Sequence, residues 1–125
     1  MLLESIAAVL LILVGLLHLL PGTVALSANR ARAAYGVTVD GPDLAVLLRH
    51  RAILLALVGA GLIIAAFAEP VRAPALTAAV ISLVSFILIA TTTGPLNPKT
   101  RRVLNLDLAA LAALAIAIML YVIER

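Results

Sequence analysis

The sequence predicts an all-α fold, an integral membrane four-helix bundle with up-down-up-down connections. Three observations predict it. Of the 125 residues, 65% are hydrophobic, against about 45–50% in a soluble domain. Mean hydropathy is +1.25. The apolar residues gather into four stretches, each near the ~20 residues that cross a hydrocarbon core of about 30 Å. In water such a chain would leave greasy surface on every side, so the bilayer is its natural solvent. The length predicts one domain. With no cysteine in the chain, disulfides, thiolate metal sites and dithiol redox chemistry carried by the protein are excluded.

The first helix is expected over residues 2–20, closing at Pro21-Gly22. Its start carries Glu4 and no basic residue, and its apolar run exceeds the about 7–15 residues of a signal peptide core. It is therefore expected to be a retained helix. In the next segment Val24, Ala28, Ala31 and Tyr35 recur at intervals of four, three and four, the spacing of one helical face. A short interfacial helix over residues 23–35, with Tyr35 as an anchor in the headgroups, fits this pattern. An irregular polar loop fits it equally well. Gly36 then breaks the segment.

Asp40-Gly41-Pro42-Asp43 is a helix start, with proline suited to the first turn and acids placed at the positive end of the dipole. The second long helix is expected over residues 42–68, stopped by Glu69-Pro70. Ala52, Ala56 and Ala60, with Gly59 and Gly61 nearby, form a small-residue stripe that lets a neighbouring backbone approach. A short connection over residues 69–74 makes the second and third helices antiparallel neighbours. The third helix is expected over residues 75–93, its Ser82 and Ser85 bonded to their own backbone. Gly94-Pro95-Leu96-Asn97-Pro98 ends it. The fourth is expected over residues 103–123, with Asn105 and Asp107 in its first turns and Ala109, Ala113 and Ala117 as a second small-residue stripe. Tyr121 and Glu124-Arg125 mark its far interface.

Charge is distributed unevenly. The first and third connections hold Arg30, Arg32, Arg49, Arg51, Lys99, Arg101 and Arg102, and the opposite face only Arg72 and Arg125. By the positive-inside rule both termini are expected on the non-cytoplasmic side. The net charge of +3 reflects arginines beside apolar segments, where they meet lipid headgroups. Nucleic acid is not an expected partner, and no phosphate loop, zinc spacing or nucleophile elbow occurs.

This topology gathers polar residues from four helix ends at the arginine-rich face: His18, Arg49, His50, Arg51, Asn105 and Asp107. They form a polar cluster for a ligand, a lipid or helix pairing. Arg49 and Arg51 stand about 200° apart around a helix, so both cannot face inward. Arg51, one turn from Leu47 and Leu55, is expected to face in and pair with Asp107, while Arg49 reaches the headgroups. His18 sits inside an apolar span without a local partner in the sequence. A hydrogen-bonded structural histidine accounts for it as well as a proton carrier or ligand does. Two histidines and one acid match no compact metal spacing, and neither a metal nor a resident cofactor is expected.

Gly15-Leu-Leu-His18-Leu-Leu-Pro21-Gly22, Tyr35-Gly36, Asp43-Leu44, Arg49-His50-Arg51-Ala52, Ser85-Phe86 and the stretch from Asn105 to Asp107 together resemble small bacterial four-helix membrane proteins of the DoxX-like type. The resemblance covers most of the chain. It implies the same helical architecture, a place in the bacterial inner membrane, and a link to membrane redox or stress complexes. Some similar short sequences carry a phosphopantetheine adenylyltransferase label, but the histidine motif of that soluble α/β fold is absent here.

Three functional classes follow. The first is a non-catalytic accessory subunit or helper that interacts with membrane lipids, a quinone or an isoprenoid, or with a membrane protein partner. The second is a small homodimeric proton-coupled transporter or channel with His18 and Asp107 as titrating groups, although no acid sits at mid-membrane and no helix is visibly broken there. The third is an enzyme acting on an isoprenoid or lipid headgroup, with Arg49, Arg51 and Arg102 holding a phosphate. That class has no acidic cluster for Mg²⁺.

Overall fold

Pro21 sets the first boundary. Without an N–H, and with its ring against the preceding turn, it cannot continue the α-helical ladder. In the computed structural model, which describes residues 1–125, α1 (Leu2–Leu19) accordingly tightens into a 3₁₀ helix, Leu20–Leu26. The segment beyond it is helical rather than an irregular loop. Ser27 caps α2 (Ala28–Tyr35) by accepting the Arg30 N–H at 3.3 Å. Gly36 closes α2 in the left-handed region at φ 64°, with its N–H on the Arg32 carbonyl at 2.9 Å. That backbone geometry favours glycine.

Three long helices follow: α3 (Pro42–Phe67), α4 (Glu69–Thr93) and α5 (Pro98–Ile123). Each has proline in its first turn, where a missing N–H costs nothing. The connection expected over residues 69–74 is in fact helix. A single extended residue, Ala68, joins α3 to α4. Pro70 occupies the permissive first turn, and Pro74 is tolerated one turn further in, where it forgoes one ladder bond. The last helix likewise begins at Pro98 rather than residue 103. Asn97 caps it, accepting the Thr100 N–H at 2.8 Å.

The four long elements run alternately up and down. α1 packs against α3 and α5, α4 packs against the same two helices, and the diagonal pairs do not touch. Each stretch is 25 or 26 residues long and apolar enough to cross a membrane. Only 21 of the 125 residues are buried, and large side chains such as Leu13, Leu57, Phe67, Ile81, Ile89 and Ile116 face outward. An apolar shell around the whole bundle is the surface a bilayer covers. The chain is a multi-pass membrane protein.

Lipid is as apolar as leucine, so close packing rather than water exclusion holds such helices together. The main core interleaves large and small residues: Leu11, Leu62, Leu83 and Leu114 with Ala7, Ala65, Ala79, Ala110 and Ala117. The tightest crossing is between α1 and α3. A Cβ built on Gly59 would lie 2.5 Å from the Gly15 carbonyl oxygen, and one on Gly15 would lie 2.8 Å from that of Gly59. Within the expected alanine stripe of α3, Ala52 is buried and the neighbouring Gly59 makes the closest approach. The stripe of α5 is shifted from the expected one. Ala110, Leu114, Ala117 and Tyr121 are buried, whereas Ala109 is exposed.

A second, smaller core of Val24, Ala31, Tyr35, Val39 and Ala52 lies at the arginine-rich end. Through it the 3₁₀ helix and α2 fold over the mouth of the bundle. Polar staples hold this cover. Arg49 Nε donates to the Ala25 carbonyl at 2.6 Å, and Lys99 Nζ to the Ala33 carbonyl at 2.8 Å. Asn97 Nδ2 and Thr100 Oγ1 both donate to the Tyr35 carbonyl, at 2.8 and 3.0 Å. Asn97 thus caps α5 and satisfies the end of α2 with one side chain.

Candidate functional site

Between the two cores lies a cavity of about 250 Å³. α1 contributes Leu17 and His18, the 3₁₀ helix Leu20, Pro21, Thr23 and Val24, and α2 Ala34 and Tyr35. Arg51 and Leu55 come from α3, and Arg102, Val103, Leu106 and Asp107 from α5. Most of the wall is apolar. Six side chains bring hydrogen-bonding groups to it: His18, Thr23, Tyr35, Arg51, Arg102 and Asp107, with the Thr23 hydroxyl donating to the Leu20 carbonyl at 3.0 Å.

His18 is the one buried polar side chain, 4% exposed. It has the local partner that the sequence alone did not reveal. Nδ1 lies 2.9 Å from the Val14 carbonyl oxygen, one turn back on its own helix. A carbonyl only accepts, so Nδ1 carries the hydrogen in this bond, and Nε2 is free of that role. A Cβ on Gly59 would lie 3.0 Å from His18 Cβ, so the glycine leaves the space that His18 occupies at the crossing. The bond to Val14 orients the ring, and the glycine crossing leaves its helix room to sit close to α3.

Arg51 faces the cavity, while Arg49, exposed, turns away to the Ala25 carbonyl. The ion pair expected between Arg51 and Asp107 is not formed. Arg51 Nη1 instead donates to the Tyr35 hydroxyl, and its guanidinium lies 5.3 Å from the centroids of both the Tyr35 and Phe86 rings. Two aromatic faces and a hydroxyl take up the cation, tying α2, α3 and α4 together. Tyr35 is consequently buried under the cover rather than anchored in the headgroups.

Asp107 lines the cavity from the third turn of α5 and makes no hydrogen bond or ion pair with any protein group. It also lines a second space, an open groove of about 500 Å³ along α3 and α4. The two spaces share Arg51, Leu55 and Asp107. A carboxylate with its acceptor positions free, facing a mostly apolar cavity, suits a ligand that brings a donor.

Not every residue of the expected cluster belongs here. His50 is exposed, and Asn105 lines a separate outer space with Arg101 and Arg102. Arg49, Arg51 and Arg102 do not converge as a phosphate-holding set, since Arg49 serves the cover. Sequence reasoning missed Tyr35 and Phe86 as partners of Arg51. The four-residue turn spacing that put Tyr35 on the inner face of α2 was the available signal, whereas nothing in the order of residues pairs Phe86 with Arg51.

The opposite end holds a space of about 280 Å³ around Arg72 and Tyr121. Its cation is already engaged: Arg72 lies 4.0 Å from the Tyr121 ring centroid, 3.7 Å from the Glu4 carboxylate, and donates from Nε to the Ala65 carbonyl at 3.3 Å. The cavity at the arginine-rich end is the better candidate site. No family model, curated protein or solved structure matches the chain.

Proposed function

We propose that this chain is a non-catalytic membrane protein, an accessory subunit or helper that holds the polar head of a membrane amphiphile, a lipid or an isoprenoid quinone, in the cavity at its arginine-rich end. One observation carries the reading: His18, Tyr35, Arg51 and Asp107 come from four separate helices to line one apolar-walled cavity, with the Asp107 carboxylate unpartnered. Ionisable side chains within a spanning region are costly and mark ligand sites or proton routes. A DoxX-like family and a bacterial inner-membrane location belong to the same proposal and rest on the sequence resemblance, which bears on the architecture and not on the ligand. Under the positive-inside rule, the arginine-rich end faces the cytoplasm. Because the chain lacks cysteine, single cysteines introduced at exposed Ala33 and at Ala73 report that orientation by impermeant labelling.

Native mass spectrometry of protein extracted gently from its own membrane tests the function. A stoichiometric lipid or quinone, or a second polypeptide, is the expected result. A bare, lipid-free monomer contradicts it.

A second reading, a homodimeric proton-coupled transporter, draws on His18 and Asp107 sharing the cavity. Flux into proteoliposomes that His18→Ala and Asp107→Asn leave unchanged removes it.

A further inference from the structure

The cavity and the α3–α4 groove meet at Arg51, Leu55 and Asp107, and this junction constrains what the site can hold. On the groove side Leu54, Val58, Ala78, Ile81 and Ile89 give a mostly apolar track, interrupted by Ser82 and by Ser85, whose hydroxyl donates to the Ser82 carbonyl at 3.0 Å. From Ala78 to Ile89 it follows α4 for about 16 Å at ~1.5 Å per residue, roughly half of a ~30 Å hydrocarbon core. That is the depth of one leaflet, and the groove is open towards the lipid.

Charge at the junction narrows the head. Arg51 already gives an Nη1 hydrogen to the Tyr35 hydroxyl and lies against two aromatic rings, so part of its fork and of its charge is taken up within the protein. Arg102 is exposed and turns partly to the outer space it shares with Arg101. Asp107, in contrast, presents a carboxylate with no partner. An anionic head at the junction would meet that carboxylate, whereas an uncharged hydroxyl would donate to it.

We propose that the site takes a single-tailed amphiphile with an uncharged, hydroxyl-bearing head, which enters sideways from the bilayer, its hydroxyl donating to Asp107 and its tail lying in the α3–α4 groove. This rests on the amphiphile-binding reading above and narrows its ligand class. An anionic head would set a second negative charge beside Asp107, and a head without a donor would leave the carboxylate unsatisfied.

The test is a titration of delipidated, detergent-purified protein followed by native mass spectrometry. Two probes share one oleoyl tail: 1-monooleoylglycerol, with a neutral diol head, and oleoyl lysophosphatidic acid, with an anionic one. The neutral probe is expected to be retained at least about tenfold more tightly, because both probes keep a glycerol hydroxyl while the phosphate brings a like charge beside Asp107. Asp107→Asn is expected to erase that preference. Ala78→Phe, an exposed position whose bulk fills the groove without entering the core, is expected to weaken retention of both probes at unchanged helicity. Equal or tighter retention of the anionic probe, or full retention by Ala78→Phe, overturns this inference and leaves amphiphile binding standing. Retention of neither probe by the parent protein likewise overturns this inference, and the broader reading falls only if protein extracted from its own membrane also carries no lipid, quinone or partner.

Discussion

Replacing Gly59 by alanine places a Cβ 2.5 Å from the Gly15 carbonyl oxygen, 3.0 Å from His18 Cβ and 3.1 Å from the Leu19 nitrogen. Ordinary contacts at such positions fall at 3.4–4 Å. Two of the three atoms met are backbone, which no rotamer change can move. The α1–α3 crossing must therefore open by roughly 1 Å, and overpacking of this kind costs about 1–3 kcal/mol. Against this, alanine is favoured over glycine in a helix by about 1 kcal/mol. The net expectation is a loss of about 0–2 kcal/mol. Gly61, two residues along the same helix, supplies the control. A Cβ there meets only Ala75 Cβ, at 3.8 Å, so Gly61→Ala is expected to be neutral or stabilising by up to about 1 kcal/mol. The two variants share the propensity gain and differ by the overpacking cost, so thermal unfolding in detergent, followed by far-UV circular dichroism, should separate them by about 4–12 °C, taking roughly 4 °C per kcal/mol. Equal melting temperatures would refute the close crossing, and with it the placement of His18 that depends on it.

Other predictions concern the cover and its attachments. Asn97→Ala removes the α5 cap and a donor to the Tyr35 carbonyl, and is expected to cost about 1–2 kcal/mol; hydrogen exchange should rise across residues 20–40 while the far halves of the helices stay protected. Asn97→Asp keeps the cap and loses only the donor, so its exchange should fall between the two. Gly36→Ala forces a Cβ into φ 64° at about 1–2 kcal/mol, and Gly36→Asn should be milder, a ranking that melting temperatures check. Tyr35→Phe keeps the ring beside Arg51 and deletes its hydroxyl acceptor, with an expected loss of about 1 kcal/mol in the same unfolding assay.

The architecture was legible because hydropathy writes membrane helices in long unbroken runs, and Pro-Gly punctuation marks where they end. Two boundaries were misjudged for one reason. Pro70, Pro74 and Pro98 read as breakers, yet proline is at home in a helix's first turns, so α4 and α5 begin earlier than the prolines suggest. The site was partly legible. His18, Arg51 and Asp107 were brought to one end by counting helices and turns. Asn105 was carried along by proximity to Asp107, although neighbours in sequence face different sides of a helix. The partner of Arg51 was not legible, since Asp107 is the natural electrostatic choice. Only the fold of the cover, fixed by Asn97, Thr100 and Lys99, delivers the Tyr35 hydroxyl to the guanidinium first. Nor did composition predict that Gly15 and Gly59 would meet, because a small-residue stripe shows where helices can approach and leaves open which residues touch.

The central claim is that the space around Leu55 holds one selected molecule, distinct from the surrounding bilayer. Leu55 lines both the cavity and the groove, while Leu57, two residues away, is exposed on the outer face of the bundle. Protein made with photo-leucine can be irradiated in its native membrane and the adducts located by fragment-resolved mass spectrometry. At Leu57 the adducts should mirror the bulk lipid mixture; at Leu55 a single species should dominate. The same mixture at both positions would contradict the account.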